Sequence, residues 1–234
     1  MKPLFLQSVL CCALSLTAQL GYAQAPLFPA ERPITWIVPY TAGGGTDAAA
    51  RLLARGMSDA LNQSIVVDNK PGASTLIGAT ALARARPDGY TVGTIDPASV
   101  AISPHVQDKM PFDAKSAFSY VGGTAIYPWL IVVNPQLPVR TMSELVAYAK
   151  AKPGGVSLGV INPVGTMALT MLRFEKSTGA KFVQVPYKGD PQAIQDVLGG
   201  QLDMYIANTV AGLPYVQSGK LRALAVASMK RIAS

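Results

Sequence analysis

The sequence predicts an α/β protein built as two lobes. Three observations lead there. Short β-branched or aromatic runs alternate with stretches of helical spacing, first over residues 34–95 and again over 141–227. Parallel strands with crossover helices are expected from that alternation. Between the two series lie an irregular stretch, 102–119, and a strongly apolar strand, 127–133, which reads as a crossing between lobes. Glycine-bearing loops follow strands in both series, at Gly43-Gly44-Gly45 and at Gly165, and open α/β sheets take ligands at such strand ends.

The first 25 residues read as an export signal. Lys2 supplies positive charge, residues 4–18 are mostly apolar, and Ala23-Gln24-Ala25 is a small-x-small cleavage site. The apolar core is too short and interrupted to span a membrane. Cys11 and Cys12 both lie inside it, so the exported chain carries no cysteine and no disulfide, thiol nucleophile or cysteine metal site. Leu10, before Cys11, is not small, which argues against a lipoprotein anchor. Residues 26–130 and 131–234 then form the first and second lobes of a soluble protein. The net charge of +7 is scattered, with no basic run interleaved with aromatics. Nucleic-acid binding is therefore not supported, while a mild positive field attracts small anions.

The organising stretch is 34–53. Residues 34–38 read as a strand that Pro39 stops. Tyr40, Thr41, Ala42, Gly43, Gly44, Gly45, Thr46 and Asp47 form the loop after it. Thr46 or Asp47 is expected to cap the next helix, whose Ala49, Leu52, Leu53, Met57, Ala60 and Leu61 recur at helical spacing. A glycine loop opening a helix leaves backbone N–H groups free at the positive end of the helix dipole, which suits an anion. No Lys-Ser or Lys-Thr follows the glycines, so the lysine of a phosphate-cradling loop is missing.

The remaining elements follow in order. A strand is expected at 64–68, a turn at 69–72, a helix at 74–85 and a strand at 90–95, with Asp96 leaving its end. His105, the only histidine, has no paired ligand nearby and reads as a loop residue. Thr141 and Glu144 make a capping box before a helix at 145–150. Strands at 156–160, 181–185, 202–207 and 221–227 alternate with helices at 167–176, 191–198 and 210–217. Asp190 is expected to cap the second of these helices, with Pro191 at its first position and Gly199-Gly200 at its end. Asn162, Gly165, Thr166 and Met167 repeat the logic of the opening loop: free amides at a helix start. Two such ends facing each other can clamp one carboxylate. No nucleophile–base pair, no paired acid and base carboxylates and no metal-ligand spacing argue for catalysis, so no enzyme activity, metal or cofactor is expected.

Taken together, these pieces resemble the Bug (TctC-type) periplasmic solute-binding proteins of tripartite tricarboxylate transport systems. The matching stretches include Val38-Pro39-Tyr40-Thr41-Ala42-Gly43-Gly44-Gly45-Thr46-Asp47, Asn69-Lys70-Pro71-Gly72-Ala73, Arg86-Pro87-Asp88-Gly89-Tyr90-Thr91, Val185-Pro186-Tyr187-Lys188-Gly189 and Gly219-Lys220-Leu221-Arg222-Ala223-Leu224-Ala225-Val226. The resemblance implies a two-lobed, type II periplasmic-binding-protein fold that closes on a small carboxylate. It implies binding through residues 40–47 and 162–167, with Tyr187 and Lys188 bordering the cleft. Thr46 and Thr166 would supply hydroxyl donors, and Asp47 would orient the first loop. The implied partners are a small carboxylate and a tripartite tricarboxylate-type permease or a sensor; a monomer in the periplasm is expected.

Three departures stand out. Ile161-Asn162-Pro163-Val164 is more apolar than the family's second loop. Ala207 stands where the family commonly has Asp. The chain stops at Ser234, where the family continues, so the C-terminal part of the first lobe is expected to be missing and apolar surface exposed. Two rival readings are a truncated, non-functional remnant and a nucleotide-dependent enzyme. For the second, Asp68 sits at about the distance of a ribose-binding acid.

Overall fold

A computed structural model of the protein describes residues 28–232; the export signal expected at 1–25 lies outside them. The first lobe holds a three-stranded parallel sheet in the order β2-β1-β3, made of β1 (Ile34–Val38), β2 (Ile65–Asn69) and β3 (Thr91–Gly93). Parallel neighbours require crossovers. These are helix α1 (Gly45–Leu61) between β1 and β2, and α2 (Leu76–Ala83) between β2 and β3. Ile34, Trp36, Ile37 and Val38 of the central strand are buried, and Ala50 and Ala54 of α1 pack against Trp36 and Val38.

The second lobe is a five-stranded mixed sheet in the order β6-β5-β7-β4-β8. Its strands are β4 (Trp129–Val133), β5 (Val156–Val160), β6 (Phe182–Pro186), β7 (Met204–Asn208) and β8 (Arg222–Val226). The chain enters it through β4, which runs antiparallel to both β7 and β8. Helices α4 (Met142–Ala151), α5 (Thr166–Thr178), α6 (Asp190–Leu198) and α7 (Thr209–Gln217) connect the strands. Strand side chains alternate between two cores, as a period of two demands. Met204 and Ile206 of β7 join Leu145, Val156, Leu158 and Met171 on one face. Tyr205 and Ala207 join Leu130, Val132, Ile194 and Leu202 on the other.

Several local expectations are corrected. Helix α1 is capped by Gly44 without a side-chain bond, not by Thr46 or Asp47. Its inward face is Asp47, Ala50 and Ala54, while Leu52, Met57 and Leu61 are exposed. Spacing identifies a helical face but not which neighbour covers it. The helix expected from 74 starts at Leu76, because Ala73, Ser74 and Thr75 all take positive φ and form a left-handed turn. Residues 127–128 lie before the paired strand. A π-turn (Ala98–Ile102) runs into the one-turn helix α3 (Ser103–Val106), which lies within the stretch expected to be irregular and carries the exposed His105. Thr141 accepts from the Glu144 N–H as expected, but Glu144 reaches the Arg140 N–H rather than that of Thr141.

Two buried-side carboxylates tie elements together. Asp203 accepts from Lys152 Nζ at 2.5 Å and from the Ser157 N–H and hydroxyl, joining the approach to β7 with α4 and β5. Asp47 accepts from the Gly43 N–H, Arg51 Nε and Asn69 Nδ2. Burial disfavours both anions. The Lys152 and Ser157 bonds at Asp203, and the Arg51, Gly43 and Asn69 bonds at Asp47, outweigh it and hold both carboxyls below the usual 3.8. Lowered native values stabilise the fold above the unfolded-state value, and that contribution is lost as pH falls through the native values. Urea midpoints measured from pH 6 downward are therefore expected to hold until about pH 4 and to fall steeply below it. Replacing both residues by Asn is expected to flatten the acid limb. Separately, Leu145→Ala, at a fully buried position, is expected to cost about 2–5 kcal/mol. Leu52→Lys on the exposed face of α1 is expected to change stability by less than about 0.5 kcal/mol, read by the same denaturation curves.

Candidate functional site

A cleft lies between the lobes. Its first-lobe wall comes from the ends of β1 and β3, through Tyr40 and Asp96. Its second-lobe wall is the β5–α5 loop, with Val160, Ile161, Asn162, Gly165, Thr166 and Met167. Trp129 and Ile206 supply apolar surface from β4 and β7. The position outside the carboxyl ends of parallel strands is where such sheets bind ligands.

The polar groups of the cleft are few. Gly165 opens α5 with no side-chain cap, so the first amides of that helix have neither an intrahelical nor a capping acceptor. The Tyr40 hydroxyl donates to Asp96 Oδ2. Burial first, and the Asp96 carboxylate second, push the Tyr40 phenol well above its ordinary value, so it stays a donor. Asn162 spans the mouth: its Oδ1 accepts from the Val164 N–H at 3.2 Å, and its Nδ2 donates to the Ser74 carbonyl at a long 3.5 Å. The left-handed turn at Ala73–Thr75 is what turns that carbonyl toward the second lobe.

The opening glycine loop meets a different partner. The Gly45 N–H donates to Asp190 Oδ2 at 3.1 Å, across 145 residues of sequence. Asp190 Oδ1 accepts from the Tyr205 hydroxyl at 2.8 Å and lies 3.4 Å from the donating Asn208 N–H. Asp190 does not cap its own helix, as had been expected: α6 is capped by Gly189 without a side-chain bond. Its carboxylate fills the anion position at the start of α1 instead. Two glycines make this approach possible. A Cβ on Gly45 would lie 2.3 Å from Asn208 Cγ, and one on Gly189 would lie 1.7 Å from Thr41 Oγ1. Thr41 Oγ1 and Asn208 Nδ2 are buried in this seam without hydrogen-bond partners.

The residues singled out from sequence thus fall into groups. Tyr40, Asn162, Gly165, Thr166 and Met167 share the cleft. Gly44 and Gly45 sit against Asp190, Gly43 approaches Pro191, and Thr41 lies against Gly189. Ala42 lies on the exposed part of the same loop. The Thr46 hydroxyl pairs with the Tyr127 hydroxyl at 3.0 Å. Asp47 orients the loop through the Gly43 N–H, as its sequence position suggests. Tyr187 donates to Asp196 at 2.6 Å and packs into the second-lobe core; burial, then Asp196, pushes its phenol up to about 12. Lys188 is exposed and is not part of the cleft lining. Sequence reasoning placed Asp96 at a strand end of the kind that meets ligands without naming it a contact, and missed Trp129. No cluster of three or more His, Cys, Asp or Glu that could hold a metal occurs among the described residues. No helix among them is long and apolar enough to cross a membrane.

Residues 49–234 match the model of the tripartite tricarboxylate transporter family receptor, TctC. A protein encoded in the gbd 5′ region of Cupriavidus necator is 39% identical over 94% of this chain and 66% of its own length. The chain thus spans about two thirds of the curated relatives it matches. Among solved structures, a Rhodopseudomonas palustris protein with adipate is 35% identical, with a TM-score of 0.82 over 87% of this chain and 68% of that one. MatC from the same organism, with bound malate, is 27% identical, with a TM-score of 0.77 over 87% of this chain and 69% of that one. With the two-lobed α/β architecture and its interlobe cleft, these matches show that the chain belongs to the TctC (Bug) family of periplasmic binding proteins.

Proposed function

We propose that this protein captures a small organic carboxylate in the cleft between its lobes and works in the periplasm as a solute receptor. It would hand that solute to a tripartite tricarboxylate-type permease or present it to a sensor, as a monomer and without catalysis. The observation that carries the reading is the uncapped start of α5 facing the cleft. Amides there gain about 0.3–1 kcal/mol from a nearby anion at an exposed helix end, and up to about 2 when partly buried. Hydrogen bonds to a charged acceptor add about 1.5–3 kcal/mol each. A few together reach micromolar affinity, about −8 kcal/mol. The adipate and malate held by the relatives support the ligand class. Thr166, Met167, Gly165, Asn162 and Tyr40 are the proposed contacts. Residues 41–46 act one step away, by seating the lobes.

Closure and capture are linked through Asp190. Its bond to the Gly45 N–H crosses the seam, so it favours the closed arrangement before any ligand arrives.

A thermal-shift screen of C4 to C6 carboxylates is expected to raise the melting midpoint. Replacing Gly165 by Pro, which perturbs the start of α5, is expected to abolish the rise for the best acid. A folded sample that no carboxylate stabilises would count against the reading. Asp190→Ala is expected to cost about 1–3 kcal/mol, because it leaves the buried Tyr205 hydroxyl without its acceptor. It is also expected to increase the radius of gyration of the ligand-free protein in solution scattering. An unchanged radius and denaturation midpoint would remove the latch.

A further inference from the structure

The far side of the cleft lining narrows the ligand class, an inference that rests on the carboxylate reading above. Asp96 leaves β3 and shares the cleft with the start of α5. Its carboxylate is only half used. Oδ2 accepts from the Tyr40 hydroxyl, and Oδ1 accepts from the Ala98 N–H at 2.7 Å. A carboxylate offers about four acceptor positions, so about two are left without a donor among the described residues. Among the described residues lining the cleft there is no Lys, Arg or His, and Asp96 joins none of the ion pairs among the described residues. The walls between are apolar, from Trp129, Val160, Met167 and Ile206.

A second carboxylate brought to this wall meets a like charge with no cation to offset it, and such juxtapositions are strongly disfavoured at a binding surface. A hydroxyl or an ammonium group meets open lone pairs instead. Tyr40 cannot take the place of that donor for both oxygens, since its single proton is already directed at Oδ2. We propose that Asp96 sets the specificity of the cleft. The preferred ligand carries one carboxylate, held at the start of α5, and a hydrogen-bond donor at its other end, in preference to a dicarboxylate of the same length.

Isothermal titration of the chain decides this with two matched series. The first is 6-aminohexanoate, 6-hydroxyhexanoate, hexanoate and adipate. The second is 4-aminobutyrate, 4-hydroxybutyrate, butyrate and succinate. Within at least one series the amino or hydroxy acid is expected to bind about tenfold or more tighter than the dicarboxylate. Asp96→Asn is expected to tighten the dicarboxylate and weaken the amino acid, each by about tenfold. Dicarboxylates that bind the unaltered protein as tightly as their donor-bearing partners in both series overturn the specificity and leave the carboxylate reading standing. A ranking unchanged by Asp96→Asn also overturns it, since a merely structural role predicts that result. Should that variant not fold, the ranking in the unaltered protein decides alone. Binding by no member of either series overturns the carboxylate reading itself.

Discussion

The contact between the two lobes depends on one carboxylate placed among helix beginnings. Asp190 lies in the first turn of α6, reaches the first amide of α1 in the other lobe, and sits beside the Asn208 amide where α7 begins. Each of those positions favours negative charge. A side chain within the protein supplies it, so the glycine loop after β1 binds the second lobe. The Tyr205 hydroxyl completes the arrangement from below. Burial first, then Asp190, pushes the Tyr205 phenol well above its ordinary value, so that it remains a donor.

This arrangement divides the work between the two glycine loops. The first, around Gly45, joins the lobes; the second, around Gly165, opens toward the cleft. Their backbone logic is the same, and only the neighbour differs. An amide with an acidic residue placed against it is a structural joint, whereas the same amide facing open space can receive a guest. The interior side of the cleft is largely apolar, which suits a small acid whose charged end is held by amides and whose body is desolvated.

Much of the fold was legible in the sequence because the signals are local. Strand β5 falls at 156–160 as expected, and β1 at 34–38; both are short β-branched or apolar runs between clear breakers. The crossing strand was legible from 129–133, whose residues are apolar throughout. What was not legible depends on long-range partners. Nothing near Asp190 in sequence indicates that its acceptor role lies at Gly45, and an Asp before Pro at a helix start ordinarily reads as a cap. The outward turn of Leu52 and Leu61 depends on which elements surround α1, information that periodicity does not carry. The left-handed run at Ala73–Thr75 has no glycine to announce it after Gly72. The cleft itself was half legible: its amide side follows from a glycine and a helix, and Asp96 from a strand end, while Trp129 joins it only through tertiary placement.

The way β4 enters its sheet has a mechanical consequence. It is not an edge strand but is laced on both sides, to β7 and β8, so it travels with the second lobe as a rigid spar. Any swing of the lobes that passes through this connection must be absorbed upstream of Trp129, where Pro128 and the residues just before it join no strand ladder.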